Sequence, residues 1–119
     1  MSELTALVAE NEADDRYHRS LGLAYAGLGS VEEAVREGER ALELVPPEND
    51  ALNGTYNVFG MGLIYAQLGD AENAVSWLDR FLSAPGRGSV HSINLDPLFD
   101  PIREDPGFQR LLDKHRRGA

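Results

Sequence analysis

Residues 21–42 (LGLAYAGLGSVEEAVREGERAL) and 61–82 (MGLIYAQLGDAENAVSWLDRFL) are two versions of one segment. Aligned without a gap at an offset of forty, eleven of their twenty-two positions are identical. The shared pairs are Gly22/Gly62, Leu23/Leu63, Tyr25/Tyr65, Ala26/Ala66, Leu28/Leu68, Gly29/Gly69, Glu32/Glu72, Ala34/Ala74, Val35/Val75, Arg40/Arg80 and Leu42/Leu82. A duplication of this kind constrains the fold, because each copy is a supersecondary unit that buries its apolar face only against a neighbour. It constrains function too. A repeat scaffold offers a surface, and no catalytic constellation accompanies it here.

Each copy reads as a helical hairpin. Tyr17, Leu21, Ala24, Tyr25 and Leu28 recur at three- and four-residue spacing and predict one helical stripe. Gly29 is placed to stop that helix by taking positive φ. Ser30 to Glu33 has the form of a capping box opening a second helix. Val31, Ala34, Val35, Ala41, Leu42 and Val45 supply its stripe, and Pro46-Pro47 ends it. In the second copy a helix starts at Asn49 or Asp50, with Ala51, Leu52, Val58, Met61, Ile64, Tyr65 and Leu68 facing inward. Gly69 stops it and Asp70 caps the next helix, whose stripe is Ala71, Ala74, Val75, Leu78, Phe81 and Leu82.

A loop at residues 85–89 separates the hairpins from a tail with three Asp-Pro pairs, at Asp96, Asp100 and Asp105. Each pair sets Asp at an N-cap or turn start and Pro at the first helical position. The last opens a helix to about His115, with Phe108, Leu111 and Leu112 on its apolar side, expected to cover the flank of the second hairpin. Residues 1–13 are acidic, with Leu4, Leu7 and Val8 spaced for a short helix; partial helix or disorder is expected there.

Composition narrows the function classes. A net charge of −9 and a pI near 4.6 disfavour nucleic acid and anionic membranes, both of which select basic faces. With no cysteine there are no disulfides, thiolate metal ligands or cysteine nucleophiles. No apolar run approaches the ~20 residues of a membrane span. The N-terminus lacks the pattern of a signal peptide. These features predict a cytoplasmic protein.

The repeat resembles the tetratricopeptide (TPR) signature W-x2-L-G-x2-Y, A-x3-F, then A and P. The first unit matches it at Leu21, Gly22, Tyr25, Ala34, Ala41 and Pro46, and departs at His18 and Gly38, where large aromatics are usual. The second matches at Gly62, Tyr65, Ala74 and loosely Pro85, with Val58, Met61, Leu78 and Phe81 in place of the usual Trp, Leu, Phe and Ala. The likeness covers about residues 14–83, and the offset of forty exceeds the usual ~34. The extra residues fall near 48–54. The tail is similar to the closing segment of many bacterial TPR proteins, which are often parts of larger signalling chains.

The resemblance implies an all-α fold: a TPR-like right-handed superhelix of two helix-turn-helix repeats plus a C-terminal capping helix. Its divisions would be an N-terminal extension at 1–13, repeats at about 15–48 and 50–84, and a loop with capping segment at 85–119. It also implies a concave groove lined by the first helix of each unit, with Arg16, Arg19, Ser20 and Leu23 from one and Tyr56, Phe59, Gly60, Leu63 and Gln67 from the other. Basic and aromatic residues there suit an extended peptide or helix of a partner protein. The alternative for Tyr56 and Phe59 is packing against the tail. Leu23 and Leu63 stand where a carboxylate clamp needs Asn, which rejects that specialisation.

Other residues are weaker candidates. Gly38 in mid-helix costs about 1 kcal/mol against Ala and predicts room for a bulky neighbour such as Tyr56 or Phe59, ahead of the alternative of a cavity that a ligand side chain enters. Trp77, off the apolar stripe, either packs near Phe99 or Phe108 or serves as an exposed anchor. Glu32, Glu33, Glu37, Glu39 and Glu43 read as a solvated face paired in part with Arg36 and Arg40. His18, His91 and His115 have no metal-like spacing, and Ser89 with His91 is a poor hydrolytic pair. The expectation is therefore a non-enzymatic interaction module without cofactor or metal. Homo-oligomerisation, or a structural end-cap role in a larger assembly, is the alternative.

Overall fold

Two glycines shape the chain. Gly29 and Gly69 sit at φ 78° and 79°, in the left-handed region that a side chain disfavours, and each reverses the chain between two helices. The backbone around them repeats at the forty-residue offset. Ser30 N–H donates to Tyr25 O at 2.9 Å and Asp70 N–H to Tyr65 O at 2.9 Å. Gly29 N–H to Ala26 O and Gly69 N–H to Ala66 O are both 3.0 Å. The duplicated sequence thus folds twice into the same turn.

The computed structural model describes residues 14–46, 51–83, 93 and 96–118. Its elements are α1 (Asp15–Gly27), α2 (Val31–Leu44), α3 (Ala51–Gln67), α4 (Ala71–Ser83), a 3-10 helix η1 (Pro97–Ile102) and α5 (Pro106–Gly118), with no strand among the described residues. The expected features at residues 1–13, Asn49 and Asp50, the loop at 85–89, and Ser89 with His91 lie outside the described residues.

Contacts fix the directions of the helices. α1 runs antiparallel to α2, with His18 against Glu37 at one end and Gly22 against Ala34 and Gly38 further along. α1 and α3 run parallel, Arg19 meeting Asn57 and Gly60, and Gly22 meeting Ile64. Along parallel α4 and α5, Glu72 lies level with Asp105, and Asp79 with Lys114 and His115. The tail packs η1 on α3 and α5 on α4. η1 thereby extends the α1–α3 row by one element.

The core rests on close approach more than on large side chains. α3 is buried on every side over most of its length, including Gly54, Thr55, Asn57, Val58 and 60–64. A Cβ on Gly22 would lie 2.8 Å from Ile64 Cδ1, 3.1 Å from Ala34 O and 3.3 Å from Gly38 N. A Cβ on Gly62 would lie 2.7 Å from Leu78 Cδ2. The buried line of α1 is accordingly His18, Leu21, Gly22 and Ala26. This corrects the predicted stripe: Leu28 and Val31 are exposed, because small residues mark where neighbouring backbones meet.

A second core lies under the tail. All four phenylalanines of the chain form one row. Phe81 of α4 and Phe59 of α3 have centroids 4.7 Å apart, Phe59 and Phe99 of η1 5.9 Å, and Phe99 and Phe108 of α5 5.8 Å. Such pairs add about 0.5–1.5 kcal/mol each beyond area burial. Phe59 meets Phe99, and Trp77 packs against the same core, which holds Phe99 and Phe108. Trp77 is half-buried beneath the Arg80 guanidinium, 4.6 Å from its ring centroid.

Other local expectations also need correction. Ser30 makes no side-chain cap, so the capping box does not form; Glu32 and Glu33 in the first turn still suit the helix dipole. Gly38 makes room for Met61 Sδ and Ile64 Cδ1, which a Cβ would meet at 2.5 and 2.8 Å, rather than for Tyr56 or Phe59. Tyr56 is exposed and Phe59 faces the tail. Asp70, Asp96 and Asp105 do cap helices, through Asn73, Leu98, and Gly107 with Phe108. Asp100 instead accepts from Arg103 Nε at 2.9 Å.

Two alanine substitutions in α1 separate packing from helix propensity. Gly22→Ala is expected to destabilise by about 1–2 kcal/mol, because two of the atoms it meets are backbone and cannot yield. Gly27→Ala meets nothing within 4 Å and is expected to stabilise by about 0.5–1 kcal/mol. Urea unfolding midpoints measure both, and equal signs would contradict the close-approach account.

Candidate functional site

The residues expected to line a groove come from α1 and α3. Asp14 positions the first. Its Oδ1 accepts from the Arg16 backbone N–H at 3.0 Å, capping α1, and its Oδ2 accepts from Arg16 Nη2 at 2.9 Å. Those bonds hold the Asp14 carboxyl below its usual range and raise the Arg16 guanidinium. The Arg16 side chain remains 74 % exposed. With Tyr17 and Ser20 it lines a shallow hollow of about 250 Å³.

Arg19 is a structural residue. Its aliphatic stem lies over Gly60, its Nη1 donates to Asn57 Oδ1 at 2.6 Å, and Asp15 stands 3.8 Å away. Asn57, 1 % exposed, is the hub of this knot. Its Nδ2 donates to Asp15 Oδ2 at 2.9 Å and to the carbonyls of Ala41 and Val45 at 3.2 Å each. The last two belong to the end of α2, which has no basic residue in its final turn. A side chain of α3 therefore satisfies the Val45 carbonyl, which the helix end leaves open, and adds a second bond to the Ala41 carbonyl, which already accepts from Val45 N–H at 3.0 Å. The sequence reading missed Asn57. The available signal was an amide on the most apolar helix of the chain, where an unpartnered polar group costs about 1–3 kcal/mol.

The remaining groove residues divide between the interior and the tail. Leu23 is half-buried between the two core clusters, and Leu63 is buried. Phe59 sits in the phenylalanine row, and Gln67 Nε2 donates to Leu98 O at 2.7 Å. The tail thus covers the Phe59 to Gln67 side of α3. Tyr56 is 50 % exposed, and Arg16 and Ser20 are also open to solvent. The structure brings these open residues to one end of the α1–α3 pair.

His18 was set aside as an isolated histidine. It is 4 % exposed and hydrogen-bonded through Nδ1 to Glu37 Oε1 at 2.7 Å. Glu37 consequently points inward and does not belong to the solvated acidic face of α2. At the far end, Asp79 receives His115 Nε2 at 2.7 Å and Lys114 Nζ at 3.0 Å, joining α4 to α5. The His115 hydrogen bond, then that of Lys114, holds the Asp79 carboxyl below its ordinary value. Burial, with Glu39 and Asp70 nearby, raises the Tyr65 hydroxyl. Among the described residues no group of His, Asp and Glu could hold a metal, and no helix is long and apolar enough to cross a membrane.

Compared with protein-family models, with curated proteins and with solved structures, the chain matches none.

The polar contacts yield two expected outcomes. Asn57→Ala should cost about 2–3 kcal/mol in urea unfolding, and Asn57→Asp more at pH 7, since a carboxylate cannot donate to Ala41 and Val45 and faces Asp15. Asp79 has a lowered folded pKa, so its contribution is present above its unfolded pKa and lost as pH falls through the folded value. Unfolding midpoints from pH 6 to 2 should therefore decline less in Asp79→Asn than in the wild type.

Proposed function

We propose that the chain is a TPR-like module, two hairpins of a right-handed superhelix closed by a capping tail, and that it binds a peptide or helix of a partner protein without catalysing a reaction. Support for the architecture comes from the two matching glycine turns, the parallel course of α1 and α3, and a tail whose first element extends the α1–α3 row.

The observation that carries the binding reading is Tyr56. It is a large aromatic side chain, half-exposed, on a helix otherwise buried nearly all round. Tyrosine and arginine are enriched among residues that dominate interface energies. Tyr56 directly precedes Asn57, whose bonds to Asp15 and Arg19 brace the backbone beneath it. Arg16 and Ser20, with the hollow beside Tyr17, extend the open surface along α1.

The α3 face also shows how a segment can be received. Gln67 takes a main-chain carbonyl of η1 while Phe59 takes its aromatic side chain. A partner segment on the open end would be held in the same way, by a few polar bonds to its backbone and an aromatic contact. The binding face is thus Arg16, Ser20 and Tyr56, with Arg19, Phe59, Leu63 and Gln67 as the frame behind it.

The test is affinity capture from host lysate with wild type and Tyr56→Ala/Arg16→Glu, followed by calorimetry with the captured segment. Both side chains are exposed, so the melt should not change. Affinity should fall about ten-fold or more, the ~1.4 kcal/mol of a typical anchor. Equal capture by the two proteins would refute the reading.

A further inference from the structure

A groove runs between the parallel helices α4 and α5, away from the α1–α3 face. It consists of two adjoining hollows of about 450 and 280 Å³ that share Val75, Gly107 and Arg110. Small residues on its walls, Ala71, Ser76 and Gly107, keep it open. Asp105 is committed to capping α5, and Asp79 to Lys114 and His115. Among the described residues neither Glu72 nor Arg110 has an ion-pair partner. Lys114 is bridged to Asp79 but its side chain is 63 % exposed, so the exposed charges along the groove run acid, base, base: Glu72, Arg110, Lys114.

The exposed face of α2 carries the inverse order. Arg36, Glu39 and Glu43 are all exposed and follow one another along the helix. Glu39 and Glu43 are four residues apart, as are Arg110 and Lys114, and four helical residues rise about 6 Å. The acidic pair and the basic pair thus share one spacing. α2 packs on α1 and α3 while α5 packs on α4, and among the described residues no ion pair joins α2 to α5.

We propose that the α4–α5 groove of one copy receives the exposed face of α2 from a second copy of this chain. Arg36 lies opposite Glu72, and Glu39 and Glu43 lie opposite Arg110 and Lys114. Glu43 already touches Arg40 at 3.3 Å and Lys114 touches Asp79 at 3.0 Å. Both pairs are exposed, a class worth about 1 kcal/mol or less, so sharing them is inexpensive. The contact joins different surfaces of the two copies, so it is head-to-tail: one copy keeps a free α2 and the other a free groove. The net charge of −9 opposes association at long range. Screening at about 0.1 M salt, with a Debye length of ~10 Å, removes most of that repulsion and spares the contact pairs; about 1 M salt, at ~3 Å, weakens the pairs too.

Sedimentation equilibrium of the full chain tests this. In about 0.1 M salt the weight-average mass should exceed 13.1 kDa and rise with loading concentration, and it should return to 13.1 kDa in about 1 M salt. Glu39→Lys/Glu43→Lys should remain at 13.1 kDa, and so should Arg110→Glu alone, which breaks no internal ion pair. Combining Glu39→Lys/Glu43→Lys with Arg110→Glu/Lys114→Glu in one chain should restore association. A wild type fixed at 13.1 kDa at every concentration in about 0.1 M salt would overturn the proposal. Association that persists in both charge-reversed variants would overturn it equally.

Discussion

The row of four phenylalanines carries the tail, and the tail completes the fold. Phe59 and Phe81 come from the second hairpin, Phe99 and Phe108 from the tail, and the last two are fully buried. Two hairpins alone would leave one flank of α3 and α4 in water, fewer than the three or so units that usually sustain a stacked array. The row covers that flank, with Ile93, Ile102, Leu111 and Leu112 packed around it. Polar contacts then set the tail's position: Gln67 to the Leu98 carbonyl, and Asp79 to Lys114 and His115.

Around the first hairpin the logic is different. Gly22 and Gly38 bring α1, α2 and α3 so close that Ile64 and Met61 fill the whole space between them. Interiors are packed like organic crystals, so such contact leaves little freedom for substitution. The molecule therefore has two cores of different texture: small residues and backbone near α1, and aromatic rings near α5. α3 belongs to both, which is why it is buried nearly all round.

Much of the helical layout was legible in the sequence, because it follows from short-range rules. The glycine stops, the aspartate caps at Asp70, Asp96 and Asp105, and the apolar face of the last helix depend on neighbours within a few residues. The rest depends on partners distant in sequence. Asn57 lies 42 residues from Asp15, and Glu37 lies 19 from His18. Local periodicity cannot assign either contact, so both residues were read as ordinary surface or passed over. The sequence leaves Phe59 open between a groove and packing under the tail, and it points Leu63 and Gln67 to the groove; only the fold, which brings the tail across α3, decides between them. Leu28 is the converse case: apolar, in register, and still exposed, because burial here follows the glycine line.

Asn57 ties the two hairpins together from inside the core. Its amide grips the last carbonyls of α2 while its oxygen holds Arg19 of α1, so the phase of one hairpin against the next is set inside the core. The register between two turns whose hydrogen bonds agree to within about a tenth of an ångström therefore rests on one buried amide.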